Sequence, residues 1–316
     1  MKILVTGGAG FIGSSLIDSL LLKGNQVIAL DNFDDFYPRH IKEANISKVL
    51  DNQGFTFVEG DVRNLDLILD ITKGVDVIVH LAAKAGVRPS ITNPELYQDV
   101  NEKGTLNLIE AAKRNGIKQF VFASSSSVYG VNKDLPWKES LNLFDLISPY
   151  AASKLSSEHM GHVYSHLYDI RFIALRLFTV YGPRQRPDLA IHKFAKKILD
   201  GDSIDLYGNG ATARDYTFID DIVQGIELAI NYKSSDFDVF NLGKGEITSL
   251  NELVGGLEKA FGKTVQRNYM EEQPGDVHKT YADISKAQNI LGYSPKTSVD
   301  EGLEEFKDWF LDTHTN

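Results

Sequence analysis

Thr6-Gly7-Gly8-Ala9-Gly10-Phe11-Ile12-Gly13 stands between a short apolar run, Lys2-Ile3-Leu4-Val5, and apolar residues at helical spacing, Ile12, Leu16, Ile17, Leu20 and Leu21. The stretch predicts a strand, a tight glycine turn and a helix. Gly7, Gly10 and Gly13 form a G-x-x-G-x-x-G pattern. The first glycines let backbone approach a pyrophosphate at the helix N-terminus, beside Phe11 and Ile12, and the third lets helix and strand pack closely. A second strand, Gln26 to Leu30, runs into Asp31-Asn32, with Asp31 lying 18 residues beyond Gly13. A carboxylate there accepts hydrogen bonds from an adenosine ribose and repels a 2′-phosphate, which favours NAD over NADP. Arg39 would argue the other way, but it lies eight residues further on in an expected loop.

Outward from this turn the chain alternates. Further buried strands are expected at Phe55 to Val58, Val75 to Leu81, Gln119 to Ala123 and Phe172 to Leu177, with helices between them, notably Asn101 to Arg114 and Tyr150 to Tyr168. Such alternation predicts an α/β fold, a doubly wound parallel sheet with helices on both faces. Ligands of such sheets gather beyond the carboxyl ends of the strands. Gly7, Asp31, Asp61, Ala82-Ala83, Ser125 and Thr179 all follow strand ends, and Asp61 is expected at the adenine. After Thr179 the texture changes. Tyr181-Gly182-Pro183-Arg184-Gln185-Arg186-Pro187 reads as a loop into a second lobe, and Asp238 to Leu242 as a strand returning to the first sheet. Three helical patches follow, near Leu250 to Phe261, Ile284 to Leu291 and Val299 to Phe310. Residues 1–180, with a return segment at about 218–244, are expected to bind the dinucleotide, and 181–217 with 245–316 to form a smaller C-terminal substrate-binding lobe.

The chemistry is concentrated in two segments. Ser125 lies in the run Ser124 to Gly130 (SSSSVYG), and Tyr150 and Lys154 lie four residues apart in Ser148 to Lys154 (SPYAASK). A Tyr and a Lys at that spacing share one helix face. The ammonium can lower the phenol's pKa and prepare it to take a proton from an alcohol that the Ser125 hydroxyl holds. With a hydride acceptor alongside, the trio oxidises C–OH to C=O. Each part alone is weak: serine runs are commonly polar loops, and Tyr129/Lys133 repeats the spacing in a glycine-containing turn, where a structural role is expected. The glycine turn, Ser125 and the Tyr-Lys pair together carry the reading. His159, His162 and His166 form a helical stripe resembling a metal face. At about 100° per residue it points away from Lys154, and no second ligand set accompanies it, so no metal is expected. His80, in an apolar strand, is expected to be a hydrogen-bonded core residue.

Composition bounds the function. The chain has 316 residues, 42% hydrophobic and 24% charged, enough for one large or two closely packed domains. A net charge of −10 without a basic run argues against nucleic acid and obliges an anionic substrate to find local arginines. The absence of cysteine excludes disulfides, thiolate catalysis and Cys-ligated metals. Glycine-rich sequence from residue 6 leaves no room for a signal peptide, and no apolar run reaches membrane-spanning length, so a cytoplasmic protein without a membrane partner is expected.

Over nearly its full length the chain resembles the extended short-chain dehydrogenase/reductase family, specifically its nucleotide-sugar 4-epimerases. The motifs are TGGAGFIG, DN at 31–32, GDV at 60–62, HLAAKAGVR at 80–88, SSSSVYG, YAASK, RLFTVYGPRQRPD at 176–188, ARDYTFIDD at 213–221 and QPGDV at 273–277. The AGVR, FTVYGPRQRPD and QPGDV segments are most similar to UDP-glucuronate 4-epimerases. The resemblance implies a Rossmann-type sheet and a tightly bound, recycled NAD. That NAD would be held by Gly7, Gly10, Phe11, Ile12, Gly13, Asp31, Asn32, Asp61, Val62, Leu81, Ala82, Ala83, Asn101, Tyr150 and Lys154. It implies that Tyr150 takes the proton from the sugar 4-hydroxyl as hydride leaves C4, that Ser125 holds the same oxygen, and that Lys154 holds the nicotinamide ribose. The 4-keto sugar then turns over and receives the hydride on its other face. A UDP-sugar would be held by Arg88, Ser125, Ser126, Ser127, Tyr150, Thr179, Arg186, Arg214 and Asp276, with Arg186 and Arg214 at the pyrophosphate and Asp276 at the uridine ribose. Arg88 faces either the ligand or a loop. The family often carries Arg where Gln273 stands.

For a uronate the keto intermediate is a β-keto acid prone to lose CO2, and Ser126, Ser127 and Thr179 are expected to hold its carboxylate out of alignment. Related decarboxylases and 4,6-dehydratases carry Glu or Asp-Glu just before VYG, where this chain has only serines. The alternatives are the same chemistry on a neutral UDP-hexose or UDP-N-acetylhexosamine, a simple reductase, and a non-catalytic NAD-sensing protein. The resemblance also implies a homodimer joined through the helices at about 101–114 and 150–168.

Overall fold

A computed structural model describes residues 1–271 and 277–314. Seven strands form its central sheet: β1 Lys2–Thr6, β2 Gln26–Asp31, β3 Phe55–Glu59, β4 Val77–His80, β5 Gln119–Ser125, β6 Arg171–Leu177 and β7 Phe237–Leu242. Their order is β7-β6-β5-β4-β1-β2-β3, and every pair is parallel. The order reverses between β1 and β4, so a crevice opens where their carboxyl ends diverge.

Strand side chains alternate, and here both faces are covered, which is why the strands read as almost unbroken apolar runs. One face carries Ile3, Val5, Val27, Ala29, Val121 and Ile173 beneath α1 Phe11–Leu22 and α5 Ile219–Asn231. The other carries Leu4, Ile28, Leu30, Ile78, Phe120, Phe122 and Phe172 beneath α2 Leu65–Ile71, α3 Gly104–Asn115 and α4 Pro149–Tyr168. Full burial of each large side chain contributes about 1.5–3 kcal/mol. The architecture is the Rossmann-like α/β sheet expected from the alternation.

Helix α4 shows how sequence sets position. Ser148 caps it, its Oγ accepting from Ala151 N at 3.1 Å, and Pro149 supplies the first helical residue. Gly161 lets the helix lie against the sheet, because a Cβ there would stand 2.3 Å from the Phe172 ring.

Several expectations need correction. Arg39 begins a helix, Arg39–Ile46, instead of lying in a loop, and its guanidinium is bidentate to Glu59 at 2.8 and 2.7 Å. Tyr181 ends a short strand, Thr179–Tyr181, paired with Tyr216–Phe218, so the loop begins at Gly182. The helix expected from Asn101 starts as a π-helical turn, Gln98–Lys103, before α3. The Ile284 patch forms only a π-helical turn, Ala287–Leu291. Helices Ala190–Asp200 and α5, and the paired strands Ile204–Tyr207 and Arg267–Met270, were not anticipated. Short strands fall below the length at which periodicity speaks. No helix of the described residues is long and apolar enough to cross a membrane.

Candidate active site

The glycine turn can be built only from glycine. Gly7 has φ 69°, and a Cβ on it would stand 2.9 Å from Ala82 N, in the segment after β4. A Cβ on Gly13 would meet Gly7 O at 2.1 Å, and one on Gly8 would meet the Ala29 Cβ of β2 at 2.7 Å. Gly13 thus brings α1 against the turn itself, while Gly8, which the spacing did not single out, gives the clearance to the sheet. The result is a bare backbone cradle at the N-terminus of α1. At the end of β2, Asp31 accepts from Ala9 N at 3.1 Å and Phe33 N at 2.9 Å. Burial raises its pKa, and those two bonds oppose the rise. At the end of β3, Asp61 accepts from the Arg63 guanidinium and from Asn32, and chiefly the Arg63 bond holds it at about 2. A cradle without side chains beside a buried ribose acceptor fits the adenosine diphosphate half of NAD.

Ser125, Tyr150 and Lys154 face the same space. A cleft of about 570 Å³ at the carboxyl ends of the strands is walled by the glycine turn, Asp31, Asp61, Ser125, Tyr150 and Lys154 together. Tyr150 stands in the first turn of α4, edge-on to the Tyr97 ring at 6.2 Å between centroids. Burial raises its pKa, while a hydrogen bond with Ser125 and the charge of Arg186 pull it back down. Lys154 is 3% exposed, donates to Ala123 O at 2.7 Å and lies 4.8 Å from the Phe122 ring centroid. Burial lowers its pKa to about 7, against a rise from the charge of Glu158. Ser125 and Arg186 are therefore electrostatic partners of the phenol, and Arg186 is one that the Tyr-Lys spacing does not reveal.

Phe11, Ile12, Asn32, Val62, Leu81, Ala82 and Ala83 also line this cleft, as do Thr179, Arg186 and Arg214. Asn101 does not. Its amide is 2% exposed, accepts from Lys84 N, and donates to Lys84 O and Ser153 Oγ, clamping the segment after β4 to α4. Ser126 and Ser127 are partly exposed beside Ser125, in a 3-10 turn, Ser126–Tyr129, and are not among the residues walling the cleft. Arg88 lines an adjoining cavity of about 470 Å³ with Lys193, Lys197, Tyr207, Arg214 and Tyr216. Asp276 and Gln273 lie outside the described residues.

Arg186 is held ready by Asp188, with bonds of 2.9 and 3.0 Å. Two residues before it, Arg184 takes φ 67° and pairs with Asp18 of α1 at 2.6 Å. Sequence reasoning missed Lys84, paired with Asp34 at 2.7 Å on the cleft wall, although it sits four residues after a strand end. It also missed Lys42 and Tyr37, which no local pattern marks. The decoy Tyr129 is buried, donates to Asn241 Oδ1 at 2.6 Å and accepts from Arg176 at 3.0 Å. His80 bridges Thr6 and Thr105 at 2.7 and 2.9 Å in the core. His162 packs edge-on against Phe237.

Residues 4–306 match a family model described as GDP-mannose 4,6 dehydratase. An uncharacterised Methanocaldococcus jannaschii protein is 44% identical, over 98% of this chain and 96% of that protein. A UDP-glucuronate 4-epimerase of Thermodesulfobacterium geofontis is 40% identical, over 97% and 95% respectively. The crystal structure of a Bacillus cereus UDP-glucuronic acid 4-epimerase with UDP-glucuronic acid and NAD superposes with a TM-score of 0.93 at 40% identity, covering 99% of this chain and 100% of that one. A Methanobrevibacter ruminantium UDP-N-acetylglucosamine 4-epimerase gives 0.91 at 33% identity, covering 99% and 98%. A family model over residues 4–306 and relatives 40% or more identical over nearly the whole chain show that the chain belongs to the extended short-chain dehydrogenase/reductase family.

Proposed function

We propose that this protein is an NAD-dependent 4-epimerase of a UDP-sugar, with UDP-glucuronate, interconverted with UDP-galacturonate, as its substrate. The observation that carries the reading is the meeting of Ser125, Tyr150 and Lys154 with the glycine cradle on one cleft. The similarity to epimerases with UDP-glucuronic acid and NAD supports the sugar and the cofactor.

NAD would be held by the Gly7–Gly13 cradle, Asp31, Asp61 and Lys154, and would supply a hydride acceptor that returns the hydride later. Tyr150 takes the 4-hydroxyl proton at its phenolate oxygen, and Ser125 donates to the same sugar oxygen. Arg186, close enough to lower the Tyr150 pKa, favours the phenolate while that proton is in transit. Once the sugar is a ketone, Tyr150 keeps the proton until the opposite face is presented, then gives it back. Arg186 and Arg214 hold the pyrophosphate about which the sugar turns, and Arg88 and Lys193 add positive charge in the adjoining cavity, which Asp188 and Asp205 also line. Thr179, at the cleft wall, holds the carboxylate. Ser126 and Ser127, in the 3-10 turn that follows Ser125, remain candidates for the same carboxylate.

The test is NMR of purified protein with UDP-glucuronate, UDP-glucose and UDP-N-acetylglucosamine in turn, without added NAD. Conversion of the first alone supports the assignment. Conversion of the N-acetylated sugar instead, as the name of the Methanobrevibacter relative would suggest, transfers the assignment to the neutral sugars. Stoichiometric NADH consumption would make the protein a reductase.

A further inference from the structure

A buried ion pair stands directly behind the proposed site. Arg176 on β6 and Glu158 on α4 are joined by Nε–Oε1 and Nη2–Oε2 contacts of 3.0 and 2.7 Å, with both side chains 4% exposed. Glu158 lies four residues after Lys154, one turn along the same helix. Its Oε1 also accepts from Ser124 Oγ, and Ser124 is the neighbour of Ser125. Arg176 continues the network through Tyr129 to Asn241, whose Nδ2 donates to Trp137 O and Asp283 O at 2.8 and 3.1 Å.

Burying two charges costs several kcal/mol per ion before their attraction offsets it, so the pair is a poor device for stability alone. It lies where the site needs both a charge and a fixed distance. We infer that Glu158, fixed by Arg176, is a positioning residue that keeps Lys154 charged and ties the Ser125 strand end to the helix bearing Tyr150. The inference rests on the role proposed for Lys154.

The other groups around Lys154 do not replace it. On β4, burial and Lys154 itself hold His80 well below its ordinary pKa, so His80 brings no charge. Burial pushes Tyr129, after β5, up to about 12, so it is neutral. On α4 the remaining group is Tyr150, and on β5 the contact is the neutral carbonyl of Ala123. Arg176 is a cation and opposes the lysine's charge. The Glu158 carboxylate is what raises the Lys154 pKa against burial. The second Tyr-x-x-x-Lys tyrosine thereby gains a purpose, as the link between this pair and β7.

The test is a titration of Lys154 by NMR of the lysine 13Cε in NAD-loaded protein, alongside the pH profile of kcat/KM. In Glu158→Gln the Lys154 midpoint is expected to fall by about one pH unit or more, carrying the alkaline limb of kcat/KM down with it. In Arg176→Met it is expected to move the opposite way. A purely structural role would lower kcat in both variants and leave both midpoints where they were, which overturns the inference. If the single variants do not fold, the charge-neutral double variant Glu158→Gln/Arg176→Met must still titrate lower than wild type, and an unmoved midpoint there overturns it equally. Opposite shifts in a protein that epimerises nothing would uphold the coupling and refute the proposed function. Epimerisation with unmoved midpoints would do the reverse.

Discussion

Tyr150 and Lys154 sit in an environment that opposes their working charge states. Burial raises the phenol and lowers the ammonium, so each is pushed towards neutrality until ligands and neighbours intervene. In the proposed mechanism Tyr150 must be ionised to accept a proton, so turnover is expected to decline as pH falls on the acid side. Tyr150→Phe should remove that limb and lower kcat by about 10²–10⁴, as loss of a general base does, with little change in KM. Steady-state kinetics across pH checks both. Lys154 makes a stability prediction. Its folded pKa is about 7 and its unfolded reference 10.5, so between those values the unfolded chain binds more protons. Stability therefore rises with pH through that window, and below it the full cost remains, on the order of 5 kcal/mol. In NAD-free protein at pH 7, Lys154→Met is expected to raise the denaturation midpoint despite losing the bond to Ala123 O, worth about 1 kcal/mol. That gain should shrink as the pH approaches 10. A midpoint lowered at pH 7 would show that the lysine is not strained there.

Among the elements, α4 does most to place the chemistry. The sequence reading places this helix from Tyr150 to Tyr168, while its Ser148 cap, the Pro149 start and the close approach to β6 at Gly161 emerge from the structure. Gly161→Ala is expected to push α4 off the Phe172 ring and cost about 1–3 kcal/mol, the range for overpacking. Urea denaturation measures the cost, and kcat should fall with it because Tyr150 and Lys154 move as one body. The seven strands of the sheet, the glycine turn and the acids ending β2 and β3 were legible because a buried parallel strand announces itself over five or six residues. Lys42 and Tyr37 reach the cleft from a short helix and the segment before it, where nothing periodic operates. Ser126 and Ser127 read as site residues because they adjoin Ser125, and nothing in the sequence signals the 3-10 turn, Ser126–Tyr129, in which they lie.

At the scale of the molecule, α4 exposes Val163 and Leu167, 47% and 58% accessible, and Tyr168 at 39%. We propose that this stripe, with α3, joins two copies of the chain. Val163→Glu with Leu167→Glu is expected to halve the mass measured by sedimentation equilibrium while far-UV circular dichroism stays unchanged. A wild-type monomer would refute the interface.

The contact between Arg184 and Asp18 has a further consequence. Asp18 rides on α1, whose N-terminus faces the glycine cradle, while Arg184 belongs to the turn that presents Arg186 to the cleft, where we propose it meets the sugar phosphates. Left-handed backbone at a non-glycine residue costs on the order of 1 kcal/mol, and the partly buried ion pair holds the turn in that shape. On the proposed assignment, the anchor of the nucleotide sugar is thus fastened to the helix at the coenzyme cradle. Cutting the fastening with Asp18→Asn should loosen the grip on UDP more than the grip on NAD.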